Sequence, residues 1–394
     1  MRLAIVTTHP VQYNAPWFRL LGEQSGVELR VFYTWHAGTQ AVQDPGFGRA
    51  IAWDLPLTEG YNFELTPPSS KVERRTFWNM DSPELVSRIK DFRPEAVLVF
   101  GWNFRSHARV MRYFHRRIPV LFRGDSTLLD QRSGFRDVAR QTVLRNVYGS
   151  VDFALSVGTR NTEYFRHYGL KSEQIVLVPH AIDNARFSAD EARAVEAAAA
   201  LRIRAGFNEG DTVLLFAGKF EAKKCPDRLV RAFQAVSEDR TDLRLLLVGN
   251  GPLEDALKSA AENDPRIAFM PFQNQLEMPF VYRAGDVTVL PSAYNETWGL
   301  CLNESMASGR PIVASRRAGA SRDLIVEQVT GFACEPDEES LLSCLQTLPS
   351  RPSLLKMGEH CRRFIAKWSF DVIVRRIVDL LSSIRDNTCE GVTP

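Results

Sequence analysis

Two glutamates, Glu296 and Glu304, follow a predicted buried strand and flank Gly299. The strand is the β-branched apolar run that ends at Pro291, and the residues Leu300–Ala307 predict a short helix. In a strand-loop-helix-strand unit, the free amides of the first helical turn lie at the carboxyl end of the sheet, where they bind anionic groups. Helical side chains lean toward the N-terminus, so we expect Glu304 to face the group that these amides hold.

A carboxylate beside a phosphate is repulsive, so each glutamate is expected to accept hydrogen bonds from neutral hydroxyl groups instead. Two such carboxylates around one diphosphate describe a site for a nucleotide sugar. Glutamates eight positions apart are nevertheless common, and by spacing alone solvated loop and helix side chains explain them better.

The residues around the two glutamates favour a binding site over solvated side chains. Glu296, Gly299 and Glu304, followed by Ala307 and the run 309–315, resemble the signature of glycosyltransferase family 4. The resemblance implies a retaining enzyme with an α/β fold of the GT-B type, in which two Rossmann-like, doubly wound parallel-sheet domains face a cleft. It further implies a bacterial role in cell-surface polysaccharide or glycoconjugate synthesis.

The chain departs from that signature around the glutamates. Thr297 and Trp298 stand where Gly and Phe are usual, and 318–320 has one glycine where the family has a pair. A sugar pocket of altered shape is therefore expected. The resemblance is clear from about 176 to 331 and weaker before that.

Length and composition limit the number of domains and the classes of partner. A chain of 394 residues is long for one hydrophobic core and sufficient for two. With 44% hydrophobic and 24% charged residues it is an ordinary globular protein, and a net charge of +2 argues against a nucleic acid as its partner.

The compartment is expected to be reducing. The six cysteines include no Cys-x-x-Cys pair and no histidine at metal-ligand spacing, which favours free thiols. The N-terminus enters directly into a predicted strand, so no signal peptide is expected, and no apolar run reaches the ~20 residues of a membrane span. These features predict a cytoplasmic protein, with the inner face of the membrane as an open alternative.

We expect the domain boundaries to follow the two strand-helix series. Residues 1–184 would form the acceptor-binding domain and residues 185–369 the nucleotide-sugar domain. The resemblance implies that a terminal helix, 370–394, crosses back onto the first domain.

The donor site is assigned mainly by the resemblance. Lys219 and Lys224 follow a predicted strand and can neutralise a diphosphate, although surface lysines are the plainer explanation. In the family the matching Arg and Lys clamp the diphosphate, and the glutamates at 296 and 304 hold the sugar and the ribose. The complete set of predicted donor residues is Gly218, Lys219, Lys224, Gly249, Phe272, Glu296, Trp298, Gly299, Leu300, Cys301 and Glu304.

The acceptor side is expected in the first domain, at the loops that follow predicted strands. The candidates are His9, Trp102, Asn103 and Arg123, and Asp125 stands where the family often has a histidine beside the reacting sugar. His9 is equally compatible with simple packing, and Asp125 with a helix cap. The predicted catalytic set is Asp125, Glu296, Lys219 and Lys224.

Two further stretches of the first domain carry open alternatives. The irregular segment 35–65 could shape the acceptor pocket, because long loops in compact domains are usually functional. Arginines at 105, 109, 112 and 116 recur at helical spacing and form either a solvated face or a contact for anionic lipid or a phosphate-bearing acceptor.

The predicted reaction is transfer of a sugar from a nucleotide diphosphate sugar to a hydroxyl of a carbohydrate or lipid-linked acceptor. No Asp-x-Asp motif is present, so neither a metal nor another cofactor is expected. Alternatives are a nucleotide-sugar epimerase, a non-catalytic scaffold subunit and, least favoured, a dehydrogenase, since no Gly-x-Gly-x-x-Gly follows either first strand. The donor base, the sugar, the acceptor and the oligomeric state stay open.

Overall fold

The computed structural model describes residues 1–35, 42–44, 46, 49–68, 76–131, 135–189, 191–262 and 264–390. The chain divides into two compact units. The first unit contains Met1–Val42, Pro56–His180 and Phe370–Pro394, and the second contains Gln43–Leu55 and Ala181–Ser369.

Short apolar runs form the strands. Most are buried along nearly their whole length, as expected for parallel sheets covered on both faces. The strands are β1 (Arg2–Thr7), β2 (Glu28–Tyr33), β3 (Val42–Asp44), β4 (Arg49–Ile51), β5 (Asn62–Leu65), β6 (Ala96–Phe100), β7 (Val120–Arg123), β8 (Phe153–Ser156), β9 (Ile175–Leu177), β10 (Thr212–Ala217), β11 (Leu243–Val248), β12 (Ile267–Met270), β13 (Val287–Leu290), β14 (Ile312–Ser315) and β15 (Gly331–Cys334).

Amphipathic helices separate most of the strands and bury their apolar faces against the sheets. They are α1 (Ala15–Gly22), α2 (Leu85–Phe92), α3 (Arg105–Phe114), α4 (Phe135–Tyr148), α5 (Thr159–His167), α6 (Asn184–Ser188), α7 (Glu191–Arg204), α8 (Pro226–Val236), α9 (Glu254–Ala260), α10 (Met278–Ala284), α11 (Leu300–Ala307), α12 (Ser321–Leu324), α13 (Glu338–Gln346), α14 (Arg351–Ile365) and α15 (Phe370–Glu390).

Each unit contains one parallel sheet with a reversal of strand order. The first sheet runs β5-β2-β1-β6-β7-β8-β9 and the second runs β12-β11-β10-β13-β14-β15. The chain therefore changes direction between β1 and β6 in the first unit, and between β10 and β13 in the second. At such a switch point the exit loops of two adjacent strands diverge and leave a crevice for a ligand at the carboxyl ends.

The observed boundaries differ from the predicted ones in two places. The first unit ends at His180 rather than 184. The reason is that the Asn184 side chain donates hydrogen bonds to the carbonyls of Ile365 (3.1 Å) and Trp368 (3.2 Å) in the second unit. At the other end, α15 packs on α1 of the first unit, while residues 391–394 of the predicted terminal helix lie outside the described residues.

The second difference concerns the irregular segment predicted to shape the acceptor pocket. Its part 43–55 lies in the second unit, which is the predicted donor unit. The Asn274 side-chain amide donates to the Ala52 carbonyl at 2.7 Å and helps to hold it there. Residues 36–41, 45, 47 and 48 of the same segment are outside the described residues.

Within the part of the chain that the structure describes, there is no helix with the length and apolar character needed to traverse a bilayer.

Candidate active site

The strongest polar contact at the second switch point joins the exit loops of β10 and β13. Lys224 Nζ donates to Glu296 Oε2 at 2.7 Å, and Ser292 Oγ donates to the same oxygen at 3.2 Å. The two charged side chains are only 16% and 14% exposed. Both groups were predicted from the sequence, whereas Ser292 was missed, although its place directly after a buried strand could have suggested it.

The electrostatics keep Lys224 positively charged. Burial lowers the pKa of Lys224, but the Glu296 carboxylate, aided by Glu221, more than offsets this effect, so the pKa is raised overall. Burial raises the pKa of the Cys301 thiol to about 12, although Lys224 opposes the change. Position 301 therefore supplies a neutral thiol and a backbone amide, while Lys224 supplies a fixed positive charge.

The loop that carries Glu296 is fixed by its own backbone. Gly319 N donates to the Glu296 carbonyl at 2.9 Å, and Ala320 N donates to the Trp298 carbonyl at 3.0 Å. A Cβ at position 319 would lie 1.8 Å from the Thr297 carbonyl oxygen, so only glycine fits there. The segment 318–320, where the chain departs from the usual paired glycines, thus acts as a short strand-like support for the loop.

The buried side chain of Trp298 supports the same loop. The side chain is 4% exposed, its indole N–H donates to Asn303 Oδ1 at 2.8 Å, and its ring lies 5.1 Å from that of Trp368. It was predicted to bind the donor, but the structure places the indole within the packed interior. Its contribution is therefore to position the loop.

The first turn of α11 presents the predicted anion-binding amides. Gly299 caps the helix in the left-handed region at φ +100°, and a Cβ there would lie 2.7 Å from Leu290 Cδ2. Leu300 and Cys301 follow as the first helical residues. The leading amides of a helix have no partner within it and carry its positive dipole end, so they can stabilise a developing negative charge.

Glu304 lies one turn farther along α11 and is 3% exposed. The Tyr282 hydroxyl donates to its Oε2 at 2.7 Å. Tyr282 belongs to α10, and its ring packs edge-on against Phe187 at 5.9 Å. This hydroxyl fixes one carboxylate oxygen, and no spacing in the sequence indicated it because it comes from a separate buried helix.

The exit loops of β10, β11 and β12 are tied together. Gly249 has φ +148°, and a Cβ there would lie 1.9 Å from the Gly218 carbonyl oxygen. Asn250 Oδ1 accepts from the Phe272 amide at 2.9 Å. The stem of Lys224 passes over Gly218, where a Cβ would lie 3.6 Å from its Cδ. The predicted donor residues on these loops therefore form one continuous edge.

The first unit places its candidates at its own switch point. His9 follows β1, and its Nδ1 lies 2.8 Å from Thr8 Oγ1. Its ring meets the ring of Trp35 edge-on at 5.4 Å, and Trp35 is the first residue of the segment 35–65 that was expected to shape the acceptor pocket. Trp102 and Asn103 follow β6, the strand beside β1.

Two candidates lie at the end of β7. Arg123 is buried, and its guanidinium donates to the carbonyls of Val178 (2.7 Å) and Pro179 (3.2 Å). Burial lowers its pKa to about 10. Arg123 therefore joins β7 to the segment after β9, whereas Asp125 is exposed at the rim.

The structure thus places the second-unit candidates other than Trp298 at the carboxyl edge of the second sheet and the first-unit candidates at that of the first. Among the described residues, no group of three or more His, Cys, Asp or Glu side chains could hold a metal ion.

Most of the second unit matches a known protein family. Residues 199–365 match the family model described as "Glycosyl transferases group 1". A D-inositol 3-phosphate glycosyltransferase from Rhodococcus jostii is 30% identical over 230 residues, which cover 55% of this chain and 49% of that protein. One from Nocardiopsis dassonvillei is 34% identical over 165 residues, covering 39% and 37%. The chain spans about half the length or less of these curated relatives.

Solved structures extend the likeness to both units. Anabaena HepE in complex with UDP and glucose matches with a TM-score of 0.70 at 16% identity, covering 97% of this chain and all of that one. Sucrose-phosphate synthase from Thermosynechococcus elongatus matches with a TM-score of 0.73 at 18% identity, covering 98% and 100%. The fold is GT-B. The predicted fold class is confirmed, and so is the predicted resemblance to glycosyltransferases in the second unit.

Proposed function

We propose that this protein is a retaining glycosyltransferase of family 4 that moves a sugar from a nucleotide diphosphate sugar to an acceptor hydroxyl. The observation that carries the proposal is the buried Lys224–Glu296 pair beside the first turn of α11. A cation and helical amides suit a diphosphate, while a carboxylate beside them suits sugar hydroxyls. The names of the curated relatives agree with this chemistry.

Charge builds on the leaving diphosphate oxygen as the bond to the sugar breaks. Lys219, Lys224 and the amides at 299–301 are assigned to stabilise that charge, because preorganised donors act most strongly in a partly dry site. Glu296 would exchange its contact with Lys224 for hydroxyls of the donor sugar. Glu304, oriented by Tyr282, would accept from the ribose.

Retention would follow from attack on the same face of the sugar, with the leaving phosphate oxygen taking the acceptor proton. Asp125 is proposed to contact the reacting sugar from the acceptor side. Because two lysines can neutralise the diphosphate, transfer is expected to proceed without a metal ion. Activity that survives EDTA would agree with this, and activity that requires added Mg²⁺ would contradict it.

The decisive test is a donor screen with the full-length protein. Thermal shifts with uridine, guanosine and adenosine diphosphate sugars would identify the donor, and release of the nucleoside diphosphate would then be followed with candidate acceptors. We expect acceptor-dependent release and a product of unchanged anomeric configuration by NMR. Interconversion of the donor sugar without an acceptor would indicate an epimerase. Binding without release for any acceptor would favour a scaffold subunit.

We also propose that the protein acts in the synthesis of a surface polysaccharide or glycolipid, at the inner face of the membrane. Trp78 is 71% exposed, and the Arg105 guanidinium lies 5.6 Å above its ring. An exposed indole with arginines suits the interface of an anionic bilayer. Asp81 pairs with Arg105 (3.4 Å) and Arg109 (2.9 Å), which weakens the attraction, whereas Arg112 is exposed on the same helix.

Sedimentation with vesicles tests this second proposal. We expect binding to vesicles that contain phosphatidylglycerol and none to pure phosphatidylcholine. Trp78→Ala combined with Arg112→Ala should reduce the bound fraction severalfold. Equal binding of the double variant and the wild type would overturn the assignment of this surface.

A further inference from the structure

The segment 43–55 comes from the amino-terminal half of the chain but lies in the second unit. We call its described residues (43, 44, 46 and 49–55) the strap. The chain leaves the first unit after Val42 and rejoins it at Pro56. The strap is outside the residues 199–365 that match the glycosyltransferase model, so its relation to the donor site comes from the structure alone.

One end of the strap is bonded to the loop that follows β12. The Asn274 side-chain amide donates to the Ala52 carbonyl at 2.7 Å, and the Leu276 amide donates to Asp54 Oδ2 at 3.1 Å. Between these two bonds, the Trp53 ring meets the Phe272 ring at 6.4 Å and 66°. Both rings are half-buried, so they form an apolar wall with a surface left open.

The other end of the strap lies against the loop that follows β10. A Cβ added to Gly46 would lie 2.7 Å from Lys219 Nζ and 2.5 Å from Glu221 Oε1. A larger residue at position 46 would therefore push the ends of these two side chains aside. Gly46 therefore sets how closely the backbone approaches the predicted diphosphate lysine.

The two attachment points match the two ends of a nucleoside diphosphate. β12 lies two strands from β10, which is about 10 Å at the spacing of strands in a sheet. A diphosphate held at Lys219 and Lys224 would extend its nucleoside along this edge, past Asn250, toward Phe272. Aromatic side chains at that distance offer the flat apolar contact that a nucleobase takes, and such stacking contributes about 1–3 kcal/mol per base.

We propose that the strap is part of the donor site: Trp53 with Phe272 forms the wall for the nucleobase, and Gly46 positions Lys219 on the diphosphate. This inference rests on the proposed function, because it assumes that the second unit holds a nucleotide sugar. It assigns affinity for the base to a segment that lies more than 140 residues before the family match begins.

The test separates the two halves of the ligand by calorimetry on the full-length protein. The probes are inorganic pyrophosphate, which has no base, and whichever of UDP, GDP and ADP binds the wild type most tightly. Trp53→Ala should weaken the nucleoside diphosphate about tenfold, the low end of the stacking range, and leave pyrophosphate unchanged. Trp53→Phe should restore most of the loss. Gly46→Ala should weaken both probes by displacing Lys219.

Matched controls exclude general loosening of the fold. Gly210→Ala makes the same change where an added Cβ meets nothing within 4 Å, and Ile203→Ala removes an apolar side chain that is 73% exposed. Both controls should bind both probes like the wild type, and all variants should keep the wild-type thermal midpoint.

The possible failures are distinguishable. A wild-type protein that binds no nucleoside diphosphate would overturn the proposed function and the strap assignment together. Binding by the wild type with no change in Trp53→Ala would overturn the strap assignment alone. An equal loss of pyrophosphate and nucleoside diphosphate in Trp53→Ala would also overturn it, because the base would then not be what Trp53 contacts.

Discussion

The carboxyl edges of the two sheets have the same topology but different chemistry. At the second edge, Lys224 and Glu296 form a buried ion pair 2.7 Å apart. At the first edge, His9 lies edge-on against Trp35 and Trp102 follows the neighbouring strand β6, while the charged candidates Arg123 and Asp125 come one strand farther out, at the end of β7.

This difference shows how one architecture can serve two kinds of ligand. A charged leaving group requires fixed cations and amides, and the second edge holds them in place with a paired carboxylate. The proposed acceptor is a neutral hydroxylated ligand, for which the aromatic side chains at the first switch point offer flat apolar surfaces. The reversal of strand order supplies the crevice in each unit, and the residues after the strands determine its use.

The largest expected effect comes from removing the cation of the second edge. Lys224→Met keeps most of the length of the side chain but leaves Glu296 without its cationic partner and removes one positive charge from the diphosphate site. We expect kcat/KM for the donor to fall by about 100-fold or more, the usual result of losing one preorganised donor. Initial-rate kinetics with the donor identified by the screen would measure it.

Lys223→Met is the matched control, because Lys223 pairs with Glu221 at 3.4 Å and its side chain is 36% exposed. It should stay within a few-fold of the wild type. Equal losses of activity in both variants would contradict the assignment, because they would show that any positive charge near this edge matters as much as that of Lys224.

The next effect concerns the first unit, where a histidine is buried in its neutral form. His107 Nδ1 donates to the Phe100 carbonyl at 2.9 Å, and Nε2 lies 3.1 Å from Thr34 Oγ1. Burial lowers its pKa to about 4, partly opposed by the backbone hydrogen bonds. Burial and then Arg123 lower the pKa of His180 to about 4 as well.

Each of these histidines has a pKa of about 4 in the folded protein and about 6.5 in the unfolded chain. Between these values the unfolded chain binds more protons than the folded one, so stability falls as the pH is lowered. For His107 alone we expect a loss of about 2 kcal/mol between pH 7.5 and 5.0. Urea unfolding at both pH values would measure it. His107→Gln, which cannot titrate, should show a smaller pH dependence than the wild type, and an unchanged dependence would contradict the assignment.

The smallest expected effect comes from changing Tyr282, which orients Glu304. Tyr282→Phe removes the hydroxyl that holds its carboxylate, so the ribose contact should weaken and KM for the donor should rise about five- to tenfold, or about 1 kcal/mol, with kcat little changed. Glu304→Ala should lower both donor affinity and activity further. An unaltered KM in a folded Tyr282→Phe variant would show that the carboxylate needs no support.

The elements of the second edge could be predicted because the sequence signals for them lie within short stretches of the chain. The strands are short apolar runs, and the exits that carry Lys224, Glu296 and Gly299 follow them directly. The resemblance then added roles for residues that spacing alone left ambiguous. The helix predicted at Leu300–Ala307 was observed at the same bounds.

The missed features depend on contacts between distant parts of the chain. Tyr282 reaches Glu304 from another helix, and Trp53 meets Phe272 across 219 positions of sequence. The direction of a side chain was equally hidden: Trp298 was expected to face the ligand, yet it packs on Trp368. Such pairings are set by tertiary packing, and a single sequence has no periodic signal for them.

The route of 43–55 also bears on how this protein could be recombined with its relatives. A crossover placed at the boundary between His180 and Ala181 would exchange the segment at 43–55 along with the amino-terminal half. In the resulting hybrid, the segment 43–55 would come from one parent and Asn274, which binds it, from the other. A chimera meant to change only the acceptor would then alter how the donor is held as well, unless 43–55 were grafted back from the original parent.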